Sequence, residues 1–317
     1  MTYLFLVIGF LLLIKGADLF VKGASHIATA LRVSPLLIGL TIVAFGTSSP
    51  EATVSIVAAL EGTAGVAVGN VVGSNIFNIT FVIGLTALIA PLRVESETIR
   101  KEIPFTLLAG IALLIVISDQ ALYALNESVI SRSDGLILLL FFAVFLYYIF
   151  EVARKNRTTA AAETQESSSS WTKNILLTLG GLAAIIFGGD LVVNSATDIA
   201  VTFGMSETLV GLTIVAVGTS LPELITSITA AIKKESEIAV GNIVGSNIFN
   251  IFFVLGTASV VAPLAVDASM FIDVIIMLTL TIVLLIFSRT KFQVGRTEGL
   301  ILAGAYIVYM VYIILRN

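Results

Sequence analysis

Residues 36–79 and 208–251 align at a constant offset of 172 without a gap, and 28 of the 44 pairs are identical. The same offset pairs Asp18 with Asp190. A chain carrying two copies of one unit is confined to architectures in which the copies bury their faces against each other. Ten apolar stretches contain and flank the copies: 3–23, 36–60, 66–91, 103–118, 134–152, 173–197, 208–232, 237–263, 270–288 and 298–315. These approach the ~20 residues that a helix needs to cross the hydrocarbon core of a bilayer. Their continuous apolarity argues against the roughly ten-residue alternating strands of a membrane barrel. The sequence therefore predicts an all-α membrane protein with ten transmembrane helices. Five spans per copy is an odd number, so the second copy enters from the opposite face, giving two inverted five-helix repeats. The expected divisions are a repeat at 1–152, a flexible cytoplasmic linker at 153–172 with the run TTAAAETQESSSS, and the inverted repeat at 173–317.

Composition supports a bilayer as the solvent. The 317 residues are 57% hydrophobic and 12% charged, about half the ~25% charge of soluble domains. A net charge of -4 leaves no basic field for nucleic acid. The absence of cysteine excludes disulfides, haem attachment and thiolate metal sites. The single histidine, His26, reads as a loop residue, which removes His-based zinc sites, Ser-His-Asp relays and Ser-His intramembrane proteolysis. The chain is not expected to be an enzyme, and its partners are the lipid bilayer and ions, with no protein partner evident.

Basic residues set the orientation. Lys22, Arg32, Arg93, Arg100, Lys101, Arg154, Lys155, Arg157, Lys173, Lys233, Lys234, Arg289, Lys291 and Arg296 fall on one side, against Arg132 and Arg316 on the other. The positive-inside rule then places both termini outside the cell membrane. Lys15 and Asp18 interrupt the first span, which is read as retained and not as a signal peptide. Three residues apart, they are expected to pair with each other, whereas Asp190 has Phe187 at the matching position. Trp171 reads as an interfacial anchor, and 119–133, with Leu122, Tyr123, Leu125 and Val129, as a short interfacial helix.

The chemistry sits in the repeated blocks, GLTIVAFGTSSPEATVSIVAAL with VGNVVGSNIFNI, and GLTIVAVGTSLPELITSITAAI with VGNIVGSNIFNI. Glu51 and Glu223 are the only charges within their own spans. A charge at the bilayer centre costs ~2.5–3.5 kcal/mol even on the lenient insertion scale, so two of them call for a compensating cation. Ser48 and Ser220 read as helix N-caps with Pro50 and Pro222 in the first turn and the glutamate three residues on, a capping box. A helix start in mid-span means a broken helix. Gly46 with Pro50, and Gly218 with Pro222, would free the carbonyls of Ala44 and Ala216 to line a polar cavity. In the following span Gly69, Gly73, Gly241 and Gly245 read as a small-residue packing face. That reading leaves Ser74, Asn75, Asn78, Ser246, Asn247 and Asn250 unexplained. Two carboxylates, two to four amide oxygens, the hydroxyls of Thr47, Ser74, Thr219 and Ser246, and backbone carbonyls make a set of hard oxygen ligands. Ca2+ takes 6–8 such oxygens at roughly 2.3–2.6 Å in irregular shells, whereas Mg2+ demands a near-ideal octahedron. One Ca2+ neutralises two carboxylates, Na+ can use the same oxygens, and protons compete for them. No cofactor is implied.

The two GTSxPE…GSNxFN blocks resemble the alpha repeats of the cation/Ca2+ exchanger superfamily, in its prokaryotic Na+/Ca2+ exchanger branch, and the resemblance covers nearly the whole chain. It implies a five-plus-five inverted fold with broken helices 2 and 7. It also implies cation coordination by Glu51 and Glu223, with Thr47, Thr219, Ser74, Ser246 and the Ala44 and Ala216 carbonyls completing sodium sites. Asn78 and Asn250 would lie in the middle, and Ser48 and Ser220 complete the candidate set. The implied activity is alternating-access antiport of three Na+ for one Ca2+, with helices 1 and 6 sliding. Potassium-dependent relatives carry Asp where this chain has Asn250, so K+-independence is expected. Proton-coupled relatives carry a GNxxE-like block, which leaves H+/Ca2+ antiport as the alternative and a cation channel behind it. The short linker leaves no room for a calcium-sensing domain.

Overall fold

The computed structural model describes residues 2–119, 128–160, 170–203 and 216–316. In lipid a backbone has no partner but itself, and the described chain is accordingly helical almost throughout. Helix α1 spans Thr2–Leu31, and α2 (Pro35–Thr47) meets α3 (Ser49–Leu60) at a 48° bend. Next come α4 (Ala64–Ile89), β1 (Leu92–Arg93), α5 (98–116), β2 (Ser128–Ile130) and α6 (Arg132–Ala160). The second half contains α7 (Trp171–Thr202), α8 (Ala216–Thr219), α9 (Leu221–Ile232) and α10 (Ser236–Val261). It closes with β3 (Leu264–Val266), α11 (Ala268–Arg289), β4 (Gln293–Val294) and α12 (Arg296–Arg316). Among the described residues seven helices, α1, α4, α6, α7, α10, α11 and α12, are each long and apolar enough to cross a membrane, or eight if the bent α2–α3 pair is one span. The protein is a multi-pass membrane protein.

Burial separates the helices into two layers. The most apolar windows of α4 and α10 are 72% and 94% buried, against 22–33% for those of α1, α6, α7, α11 and α12. The second helix of each repeated block therefore forms the centre, and the outer helices turn their Leu, Ile and Phe side chains to lipid. Helices α1 and α7 pack antiparallel with their backbones in close approach at glycines. A Cβ on Gly9 would stand 2.9 Å from the Gly188 carbonyl, one on Gly16 2.9 Å from that of Gly181, and one on Gly23 3.0 Å from that of Asn174. Gly84 meets Gly299, and Gly256 meets Gly135, in the same manner. Two short antiparallel ladders join the halves: β1 pairs with β4, and β2 with β3. Leu92 and Leu264, which lie 172 residues apart, begin β1 and β3.

Several expectations change here. Buried Ile27 and Ala28 continue the packing stripe of α1 to Leu31, so His26 lies in a helix, with Nδ1 3.3 Å from Asn174 Oδ1. Asp18 pairs with Lys233 at 2.7 Å instead of with Lys15, because the α9–α10 turn delivers an ammonium directly to it. Val129 belongs to strand β2 opposite Ala265 and not to an interfacial helix, while Leu122, Tyr123 and Leu125 lie outside the described residues. Helix α6 runs on to Ala160, into 153–172, of which 161–169 lie outside the described residues. Trp171 begins α7, about half exposed, where an interfacial ring is expected.

Candidate ion-binding site

Each repeated block breaks its helix at a serine. Ser48 (φ −82°, ψ 8°) separates α2 from α3, and Ser220 (φ −92°, ψ 8°) separates α8 from α9. Pro50 and Pro222 follow at once in the first turn, where a missing N–H costs nothing. The breaks set Glu51 and Glu223 in the first turns of α3 and α9, both fully buried.

The capping-box reading fails. Neither serine makes a side-chain cap bond. Ser48 Oγ instead donates to Glu223 Oε1 at 2.7 Å, and Ser220 Oγ donates to Glu51 Oε1 at 2.8 Å. Each half's serine thus holds the other half's carboxylate. Magnitudes favour this choice, since a cap is worth ~1 kcal/mol and a hydrogen bond to a charged group ~1.5–3 kcal/mol. The Ala44 carbonyl is not freed either: it accepts Ser48 N–H at 3.0 Å and Thr47 Oγ1 at 3.4 Å. In the second half Ser220 N–H bonds the Val217 carbonyl at 3.2 Å in place of that of Ala216.

Helices α4 and α10 supply the amides. Asn70 Nδ2 donates to the Glu51 carbonyl at 3.3 Å and to Ser55 Oγ at 2.9 Å. Asn242 Nδ2 repeats this on the Glu223 carbonyl at 3.4 Å and Ser227 Oγ at 3.0 Å. Thr47 Oγ1 reaches across to Asn242 Oδ1 at 3.0 Å, tying the first break to the second clamp. Asn78 Nδ2 donates to Asn247 Oδ1, and Asn250 Nδ2 to Asn75 Oδ1, both at 3.3 Å. Asn78 opens a π-helical turn at Asn78–Val82, and Asn250 lies in one at Phe249–Leu255. Such one-residue expansions recur at functional sites because they redirect side chains out of helical register.

What remains unsatisfied defines the site. Glu51 Oε2, Glu223 Oε2, Asn78 Oδ1, Asn250 Oδ1 and Ser74 Oγ are buried without a hydrogen-bond partner. Two like-charged acids are thus held at the paired breaks by crossed serine bonds. Ser246 Oγ lies 3.5 Å from Glu223 Oε1, and half-buried Thr219 adjoins Ser220. Unpartnered buried polar atoms cost ~1–3 kcal/mol each, and more when charged, so a cluster of oxygens in this condition fits a cation. Sequence reasoning singled out the acids with Asn78 and Asn250, whose buried oxygens are here without partners, but left Asn70, Asn242, Ser55, Ser227, Asn75 and Asn247 without roles. Their identity at the 172-residue offset was the available signal. Of the packing glycines, Gly241 and Gly245 do meet α2, with a Cβ 2.6 Å from the Leu36 carbonyl and 2.7 Å from that of Leu40. Beyond the adjoining turns of their own helix, no described residue comes within 4 Å of a Cβ placed on Gly69 or Gly73. A separate cavity of about 470 Å³ lies between the β1–β4 ladder and the α9–α10 turn, lined by charges of both signs such as Glu95, Glu237, Arg93 and Lys291.

The family model described as sodium/calcium exchanger protein matches residues 1–151 and 173–315. The chain belongs to this family. The sodium/calcium exchanger MaX1 of Methanosarcina acetivorans is 35% identical over 341 residues, covering 98% of this chain and 97% of its own. The inner membrane protein YrbG of Escherichia coli is 38% identical over 322 residues, covering 96% and 94%. A structure of the sodium-calcium exchanger NCX_Mj soaked with Na+ and Sr2+ superimposes with a TM-score of 0.84 at 31% identity, covering 98% of this chain and 99% of that one. The chain is therefore a transporter of the exchanger type and not an enzyme.

Proposed function

We propose that this exchanger carries Na+ and Ca2+ in opposite directions across the cell membrane, by alternating access to one cage between its halves. Glu51 and Glu223 supply the charge. Asn78 and Asn250, the hydroxyls of Ser74, Ser246, Thr47, Thr219, Ser48 and Ser220, and the carbonyl of Ala216 complete the sites. The observation that carries this reading is the set of buried, unpartnered oxygens, in which Glu51 Oε2 matches Glu223 Oε2 and Asn78 Oδ1 matches Asn250 Oδ1 across the repeat. All are hard donors suited to Ca2+ and Na+. One Ca2+ brings the cage to neutrality, whereas three Na+ leave it at +1, so a 3:1 cycle moves one net charge.

The same reading takes the chain as ten spans in two inverted five-helix repeats joined by a cytoplasmic linker, with both termini outside. The antiparallel packing of α1 on its repeat partner α7 supports it, as do the ladders exchanged between halves. Asn250 in place of an acid supports independence from K+.

The test is flux in proteoliposomes. Sodium-loaded vesicles diluted into sodium-free buffer should take up radioactive calcium, faster with the interior held positive as each Ca2+ enters against three Na+ leaving, and at a rate that K+ does not change. Uptake that follows a pH gradient and ignores sodium would replace this reading with H+/Ca2+ antiport. Calcium flux that needs no counter-ion would make the protein a channel.

A further inference from the structure

Resting on the cage proposed above, we infer that Asn75 and Asn247 are positioning residues that decide which face the amides of Asn250 and Asn78 turn to the cation. A primary amide has an oxygen on one side and an NH2 of nearly equal size on the other. Only the oxygen can ligate; the reversed amide would aim two N–H donors at a cation. Nothing in the shape of an asparagine selects one face, so the selection comes from what its other edge meets.

Here both other edges are met by a second asparagine. Asn250 Nδ2 donates to Asn75 Oδ1 and Asn78 Nδ2 to Asn247 Oδ1, each at 3.3 Å. The two bonds are images of one another at the 172-residue offset, and each crosses from one half to the other. They take up the NH2 groups and leave Asn78 Oδ1 and Asn250 Oδ1 as the unpartnered atoms. Asn75 is itself fixed, because its Nδ2 donates to the Asn247 carbonyl at 3.2 Å, which turns its Oδ1 toward Asn250. All four side chains are at most 1% exposed, so water offers no alternative partner. A merely structural role, gluing α4 to α10, would need these hydrogen bonds but would be indifferent to which atom faces the cage.

The two roles separate in a rescue experiment on purified protein, reading equilibrium binding of radioactive calcium and sodium-driven uptake. Asn75→Ala removes the acceptor and frees the amide of Asn250 to reverse. The calcium concentration for half-saturation should rise ~10–100-fold, the usual effect of removing an outer partner of a metal ligand, with a smaller change in maximal uptake per folded molecule. In an Asn250→Asp background both faces of the ligand are oxygen, so the same Asn75→Ala substitution should then cost little or nothing. The mirror pair, Asn247→Ala alone and with Asn78→Asp, should behave alike and serves if Asn75→Ala does not fold. Calcium binding by Asn75→Ala at the wild-type concentration would overturn the assignment. An equal loss in both backgrounds would do the same, because a packing defect is not repaired by a carboxylate. Wild-type protein that binds no calcium would instead remove the cage, and this assignment with it.

Discussion

Glu51→Gln separates the two energies that the cage holds in tension. Glutamine keeps the shape of the side chain and an oxygen to accept Ser220 Oγ, which lies 2.8 Å from Glu51 Oε1. It replaces the unpartnered Oε2 with an NH2 and removes one of two like charges. Without ions, the charge it removes costs ~2.5–3.5 kcal/mol at the centre of a bilayer, so the ion-free variant should melt higher than the ion-free wild type. With calcium the sign reverses. Removing one member of a buried, hydrogen-bonded charge pair costs about 2–5 kcal/mol, which is roughly thirty-fold to several-thousand-fold in affinity. Bound calcium stabilises the wild type by ~2.7 kcal/mol at a hundred times its dissociation constant, and the variant should lose that increment at the same concentration. Thermal unfolding in detergent, with and without calcium, reads both effects, and sodium-driven uptake should be abolished. A variant that melts lower than the wild type without ions, or that keeps the full calcium-dependent rise, would refute the argument that repulsion at this site is relieved by a cation.

Further outcomes test the frame around the cage. In Gly181→Ala the new Cβ would stand 2.5 Å from Phe20 N and 2.7 Å from the Gly16 carbonyl; forcing α1 from α7 should cost ~1–3 kcal/mol and slow uptake, while calcium binding stays as in wild type because the cage lies on other helices. Asp273→Ala leaves the Arg316 guanidinium, now held at 3.0 Å by both carboxylate oxygens, without its partner. Since Arg316 keeps a fifth of its side chain exposed, the loss should fall near the lower end of the ~3–5 kcal/mol for a broken buried pair, read as a lower melting temperature with unchanged calcium affinity in the folded fraction. Asp18→Asn removes the half-exposed pair with Lys233 and should alter stability by no more than ~1 kcal/mol; a larger drop in chemical denaturation would mean that this tie anchors α1.

The repeat made the main features legible because identity at a fixed offset selects residues that both copies need. Glu51 with Glu223 and Asn78 with Asn250 were found this way, and the breaks followed from Pro50 and Pro222. What the sequence hides is which partner a polar group takes when several are within reach. Ser48 has the spacing of a cap, yet its hydroxyl goes to Glu223, 175 residues away. Asp18 has a lysine one helical turn behind it, yet bonds one 215 residues on. Local spacing ranks only local partners, and in both instances a tertiary partner offered more. The π-helical turns at Asn78–Val82 and Phe249–Leu255 leave no mark in the apolar pattern, because one extra residue per turn changes periodicity less than ordinary sequence noise does.

The cross-bonds also bear on why such a site exchanges ions and does not simply release them. Ser48 and Ser220 fasten each half's break to the other half's acid, so a movement that pulled the halves apart would break both bonds. Ion pairs among the described residues join Lys101 to Glu97, Lys233 to Asp18 and Arg316 to Asp273, and none involves Glu51 or Glu223. Among the described residues no cation of the protein's own therefore compensates the acids when the ion leaves. If the barrier to reorientation carries even one uncompensated charge at ~2.5–3.5 kcal/mol, the empty form crosses roughly a hundred times more slowly than the neutral, calcium-loaded form. A carrier whose empty form is that slow returns mainly by taking another cation, and exchange follows from the missing counter-charge.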